Sequence, residues 1–429
     1  MEAIPSTEFK TKIHLSQESE NSPATFVLVH QPSREVFMSS LHPAASLYED
    51  TTDENSIREC FRNLKEILSK RGIILETVKG ALCKDRKTLE ELAFQSLKYV
   101  KVDDSSNSNS SELANQRFDY YTSEDYKRTI INHLNEDQLA DVIFTQPTIQ
   151  IKRTDMNTFV ESSSVSFAPL GNLVFCRDQQ ITTRKGVVIG RLRSSQRAFE
   201  TVVLEHVYKS LGANIVGKIP NDAYLEGGDY FVAKPDLSMC GVGLRTTVAG
   251  VNYLMENDLL GTDRFAIVYD EDDLDQQRMH LDTYFNILNK KYVVALDFDE
   301  VAKVAKKKVQ RRVFLYSNKD VNEVDSGKEE IKKKVGDYHL VKIFENFYEY
   351  LAYEGFQVIK VSNQEQIDYM INFLNIGNNT VLCVNRDLKR KVKEAGVNVI
   401  FVEFEPILKM FGALHCATQV SRKDVEGKS

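Results

Sequence analysis

Four short segments of this chain carry side chains that could act on a substrate: GNLVFCRD at 171–178, YLEGGD at 224–229, MHLDTYF at 279–285 and GALHCATQ at 412–419. In the first, an apolar strand from Leu173 to Cys176 is expected to run into Arg177 and Asp178, so that a rigid strand end holds a carboxylate over a cleft. In the second, Gly227 and Gly228 follow Glu226 and permit a tight turn, or a close approach of backbone to ligand. Read as a strand, the third puts His280 and Asp282 on one face, two residues apart. An imidazole beside a carboxylate suits proton transfer near neutrality. In the fourth, Gly412 and Ala413 leave room around Cys416. His415 falls on the opposite face of an extended segment, so the partner of the cysteine must come from elsewhere. Each segment alone has an ordinary reading: a strand-capping ion pair, a Gly-Gly hairpin, a chance His-x-Asp, a small core cysteine.

Taken together they describe one chemistry. A guanidinium is planar, permanently charged and presents five N–H donors in a fork, which carboxylates bind in bidentate fashion. Breaking it takes a nucleophile at the central carbon, a proton donor for departing ammonia and a base to activate water. Asp178, Asp282, Glu226, His280 and Cys416 supply those parts. A thiol beside carboxylates is hard to ionise, because like charges oppose each other. The bound cation or imidazolium His280 is expected to relieve this.

The four segments, in this order, resemble arginine deiminases, whose pattern runs Asn-x-x-Phe-x-Arg-Asp, Glu-Gly-Gly-Asp, His-Leu-Asp-Thr and Gly-x-His-Cys. FVLVHQPS, the run Leu47-Tyr48-Glu49-Asp50 and KRGIILE look like the opening of the same enzymes. The resemblance implies a pseudo-fivefold α/β propeller, the pentein fold, with the site on its axis. It also implies roles. Cys416 forms an amidino-thioester, Asp178 and Asp282 clamp the guanidinium, His280 is the acid–base and Glu226 supports it. Arg197 and Arg245, assisted by Asn172 and with Leu47 beside the substrate, are expected to hold an α-carboxylate. That favours L-arginine, hydrolysed to citrulline and ammonia, over agmatine. No cofactor and no metal are implied. The chain departs from the family at Phe411, where the bacterial enzymes typically carry an arginine that helps gate the site. The alternatives are agmatine deiminase, methylarginine hydrolase, arginine dihydrolase, amidinotransferase, or a catalytically silent arginine binder.

The elements that must position these residues follow one grammar: an amphipathic helix, a glycine, then a short β-branched strand. In 56–71, Ile57, Phe61, Leu64 and Leu68 fall on one helical face before Gly72. The order recurs with Gly212, Gly355 and Gly396, since glycine closes a helix in the left-handed conformation. FVLVH (26–30), DVIFT (141–145), FAIVY (265–269) and TVLCV (380–384) read as buried strands. The expectation is a single α/β catalytic domain over 1–429, with a helical insertion at 84–138 interrupted by a polar loop, DDSSNSNSSE. The lysine-rich runs at 303–312 and 328–334 read as solvated helix faces beside acids.

Composition excludes other classes. A net charge of −7 over 429 residues makes no electrostatic footprint for nucleic acid. No apolar run is long enough to span a membrane. The N-terminal residues have no apolar core of a signal peptide, and the six cysteines are scattered with no CxxC pair. A reduced, cytoplasmic enzyme is expected, with a small guanidino molecule as partner, homo-oligomerisation left open, and neither nucleic acid nor membrane involved.

Overall fold

The structure, a computed structural model, describes residues 13–425 except 103–111, 155–158, 271–272, 274, 306–308, 310 and 321. It is a mixed α/β fold in which one pattern of strand pairing recurs five times: a strand, an antiparallel neighbour, a helix, and a strand parallel to that neighbour. Gln180–Thr182, Val187–Ile189, helix Ala198–Ser210 and Ile215–Lys218 make one such unit. Tyr230–Lys234, Leu237–Val242, helix Val248–Glu256 and Arg264–Tyr269 make the next. Phe285–Ile287, Tyr292–Leu296, helix Phe347–Tyr353 and Gln357–Val361 follow. Leu374–Asn375, Thr380–Cys383, helix Leu388–Lys391 and Asn398–Phe401 are the fourth. The fifth joins distant parts of the chain: Gln419–Val425 pairs antiparallel with Phe26–Val29, which runs parallel to Ile74–Thr77 after helix Glu54–Ser69.

The helices form where the sequence pattern places them. Glu54–Ser69 starts at Asp53, whose carboxylate accepts the Ser56 N–H, and buries Ile57, Phe61, Leu64 and Leu68. Gly72, Gly212, Gly355 and Gly396 all take positive φ after their helices. In the unit of helix Val248–Glu256 the corresponding position is Asp258, at φ 49°, so that repeat carries no glycine signal in the sequence.

Two further segments elaborate the repeats. Residues 98–102, 147–153 and 160–167 form a separate three-stranded sheet. It lies beside helices Arg86–Ser96, Glu112–Tyr121, Glu124–His133 and Glu136–Thr145. These helices are no isolated module: Leu89, Leu92, Ile131, Leu139 and Ile143 share a core with Leu28, Val187 and Val203. Arg312–Ser317, Tyr338–Phe344 and Lys334–Val335 extend the sheet of the Tyr230–Lys234 unit.

Several local expectations are corrected. DVIFT is the last part of helix Glu136–Thr145, because its apolar residues continue that helix's buried face at Leu139, Ala140, Ile143 and Phe144. Leu173–Cys176 is not a strand: Gly171–Val174 is a 3-10 turn. His280 and Asp282 do not lie on a strand either; His280 precedes the helical turn Leu281–Tyr284. His415 and Cys416 sit in a turn, not an extended segment. The run 328–334 forms turns leading into Lys334–Val335 and is not a helix, though Lys333 does lie 3.3 Å from Asp325. Most of the DDSSNSNSSE loop, and residues 306–308 and 310 of the other lysine-rich run, lie outside the described residues.

Candidate active site

The chemical residues stand at one topological place, the short turn just before the first strand of a repeat. Asp178 precedes Gln180–Thr182, Glu226 precedes Tyr230–Lys234, His280 and Asp282 precede Phe285–Ile287, and Cys416 precedes Gln419–Val425. A turn that ends in a buried strand is held from one side by the sheet and from the other by its neighbours. Leu414, Cys416 and Ala417 accordingly pack in one core with Val174 and Phe175. Gly412 allows this closeness, since a Cβ there would stand 2.2 Å from the Phe175 ring. The glycines of YLEGGD serve the protein itself: a Cβ on Gly227 would lie 1.9 Å from the Arg177 carbonyl oxygen, and one on Gly228 2.8 Å from His280 Nδ1.

Around Cys416 the contacts are short and buried. Its Sγ lies 3.4 Å from Asp282 Oδ2 and 3.0 Å from Asn372 Nδ2. Asp282 Oδ2 also accepts from His415 Nδ1 at 2.7 Å, and the His415 ring stacks on Phe231. Burial, with Asp282 and Asp178 adding to it, pushes the Cys416 thiol well above its ordinary range. Burial also opposes the charge of Asp282, but the His415 hydrogen bond, with the positive charges of His280 and Arg177, outweighs it and holds that carboxyl low.

His280 is surrounded by acids. Its Nε2 lies 2.8 Å from Glu226 Oε2, and its Nδ1 is 3.9 Å from Asp178 Oδ1. Burial alone would discharge the ring; Asp178, the Glu226 hydrogen bond and Asp229 reverse that and raise its pKa to about 10. Glu226 is held low by the same partner against burial, and its Oε1 accepts the Arg193 N–H at 2.9 Å. Asp229 sets the turn, accepting from Leu281 N at 2.9 Å and from the Thr246 hydroxyl at 2.7 Å. Asp178, Glu226 and His280 each offer a donor atom within 4.8 Å of the others, a spacing able to hold a cation or, as here, a carboxylate–imidazolium set.

Two carboxylates are left half-used. Among the described residues, Asp178 Oδ1 and Asp282 Oδ1 are buried without a hydrogen-bond partner, as is His280 Nδ1. The other oxygen of Asp178 accepts from Arg197 Nη1 at 2.8 Å, and Arg197 is further held by Glu200 and by the Asn172 carbonyl. Among the described residues Arg245 pairs with no carboxylate and its Nε has no partner, while its Nη2 donates to Gln276 Oε1 at 3.1 Å. One cavity brings Leu47, Asn172, Asp178, Arg197, Arg245, His280, Phe411 and Cys416 together. A second meets it at Gln276, Met279, Phe411 and Cys416. Phe411 therefore stands between the two, with its backbone at φ 63°. Sequence reading missed Asn372, Glu200, Gln276, Met279 and the His415–Asp282 pair. A lone Asn or Gln carries no motif, and only the repeat marks Asn372, which stands before Leu374–Asn375 as the others stand before their strands.

Known proteins are similar to this chain across most of its length. The family model described as arginine deiminase matches residues 63–422. An arginine deiminase of Staphylococcus aureus (strain JH9) is 25% identical over 368 residues, covering 79% of this chain and 83% of that protein. One of Staphylococcus haemolyticus (strain JCSC1435) is 23% identical over 325 residues, covering 70% and 74%. Among solved structures, DDAH from Pseudomonas aeruginosa, a mutant complexed with citrulline, is 13% identical with a TM-score of 0.49, covering 93% of this chain and 100% of that one. The substrate-bound N-terminal domain of ArgZ, a cyanobacterial arginine dihydrolase, is 18% identical with a TM-score of 0.41, covering 64% and 79%. The match of the family model over residues 63–422, most of the sequence, means that this protein belongs to the arginine deiminase family.

Proposed function

We propose that this protein hydrolyses L-arginine to L-citrulline and ammonia through a covalent adduct on Cys416. The observation that carries the reading is the pair of buried carboxylates, Asp178 and Asp282, each with one unpartnered oxygen, flanking a buried thiol. Buried acceptors cost stability unless satisfied, and a guanidinium supplies several donors in one plane to satisfy them. In this reading the thiolate attacks the central carbon, and the tetrahedral adduct expels ammonia with a proton from His280. Water activated by His280 then releases citrulline and regenerates the thiol. Glu226 keeps His280 charged until it gives its proton. The cationic substrate offsets the negative field that opposes thiolate formation.

Arg245, unpaired with any carboxylate among the described residues and lining the same cavity, supports a substrate with an α-carboxylate. Arg197 is engaged with Asp178. Arg197 holds the other oxygen of Asp178 and lines the same cavity as Arg245, Asn172 and Leu47. The five repeats support the pseudo-fivefold propeller, in one catalytic domain elaborated at 84–138.

The test is mass spectrometry of the protein quenched in acid during arginine turnover. A Cys416 adduct with citrulline in solution supports the reading. Cys416→Ala is expected to lose turnover and keep arginine binding; substantial turnover by that variant would refute the covalent route. Faster hydrolysis of agmatine or methylarginine than of arginine would move the substrate assignment to another guanidino compound.

A further inference from the structure

We propose that Asn372 holds and activates the Cys416 sulfur, donating one side-chain N–H to the thiolate while its carbonyl oxygen pins the Cys416 backbone. The inference rests on reading Cys416 as the nucleophile. The orientation of the Asn372 amide follows from its other partners. Its Nδ2 lies 3.1 Å from the Asp282 carbonyl oxygen, which can only accept. Its Oδ1 lies 3.2 Å from the Cys416 backbone nitrogen, which can only donate. With both ends so assigned, the second N–H on Nδ2 is the one that meets Sγ at 3.0 Å.

The arrangement serves a need the site creates for itself. Asp282 and Asp178 oppose a negative sulfur, and burial adds to the opposition. Asn372 counters them through a side-chain hydrogen bond to the sulfur, with the Ala413 backbone acting in the same direction. It carries no charge of its own and so leaves the carboxylates free to bind a cation. It also ties the turn bearing the nucleophile to the turn bearing the clamp, because Asp282 and Cys416 both bond to it, and its own carbonyl accepts the His415 N–H at 3.3 Å. Asn372 is only 3% exposed and lines the second cavity beside Cys416. It occupies, in the unit of Leu374–Asn375, the place that Asp178, Glu226, Asp282 and Cys416 occupy in theirs.

The experiment compares wild-type protein, Asn372→Ala and the isosteric Asn372→Asp. Iodoacetamide alkylation of the peptide bearing Cys416 is followed against pH, alongside arginine turnover. Loss of a hydrogen bond to a charged group corresponds to a factor of roughly 10 to 100. Asn372→Ala is therefore expected to move the alkylation midpoint up by about one pH unit or more and to lower kcat about tenfold or more, with KM changed less than about threefold. Asn372→Asp, which turns an acid toward the sulfur, is expected to slow both further. A merely structural residue would lower stability without moving the alkylation midpoint. Wild-type midpoints in the folded variants would overturn the proposal. If Asn372→Ala does not fold, the near-isosteric and uncharged Asn372→Leu, which also lacks the N–H donor, decides the point. Full turnover by Cys416→Ala would instead strike the nucleophile reading, an outcome the alkylation comparison keeps separate.

Discussion

Replacing Glu226 with glutamine keeps the side chain's shape and removes its charge from a fully buried pair. The bond at stake is His280 Nε2 to Glu226 Oε2 at 2.8 Å. A hydrogen bond between charged groups contributes about 1.5–3 kcal/mol, and one pH unit corresponds to about 1.36 kcal/mol. Glu226→Gln is thus expected to make His280 titrate about 1 to 2 pH units lower than in the native protein. It stays above its ordinary value because Asp178 and Asp229 remain. Stability follows the same group. With His280 raised from 6.5 to about 10, its contribution is complete below 6.5 and is lost as pH rises through about 10. Glu226, held low, contributes above its ordinary value of 4.5 and is lost as pH falls below it. In Glu226→Gln the alkaline loss begins at lower pH, and the acid loss attributable to Glu226 disappears. Imidazole NMR of protein labelled at histidine, with denaturant unfolding across the same pH range, reads both effects. A His280 that titrates identically in the variant, or one already neutral in the native protein near pH 7, would refute the account of the pair.

Four further variants have expected outcomes. Arg245→Ala should raise KM for arginine well above its effect on agmatine, with little loss of stability. Arg197→Ala should also destabilise the fold by about 3–5 kcal/mol, because it strands Asp178 and Glu200 in the interior; equal effects of the two variants on both substrates would sink the carboxylate assignment. Gly228→Ala places a methyl 2.8 Å from His280 Nδ1 and should cost about 1–3 kcal/mol and most of the activity, read by thermal unfolding and kcat; an active, stable variant would show that the ring has room to move. Arg311→Leu removes one partner of Asp270 and one of Asp273, at 2.9 and 3.0 Å, while Arg278 still holds Asp273 at 2.6 Å. It should lower stability by about 1–3 kcal/mol, and unchanged urea unfolding would contradict that.

What the linear chain determined by itself is local. Helix Glu54–Ser69 and its buried stripe, the glycine-closed helices, and three of the four apolar runs read as strands were legible because periodicity and left-handed glycines are properties of neighbours in sequence. The repeat of helix Val248–Glu256 was not, since Asp258 takes the position where the others have glycine. DVIFT misled because a short apolar run reads alike as strand or as a helix's buried end. The candidate site was legible through Cys416, His280, Glu226, Asp178 and Asp282, whose chemistry is rare enough to notice in short motifs. The tertiary structure decided what joins them. It put His415 on Asp282, Arg197 on Asp178 and Glu200, Phe411 between two cavities, and Asn372 against the sulfur. Those pairings span up to 133 residues of sequence. They arise because each repeat presents the turn before its first strand to the same interior, and no spacing along the chain encodes which turns will meet there.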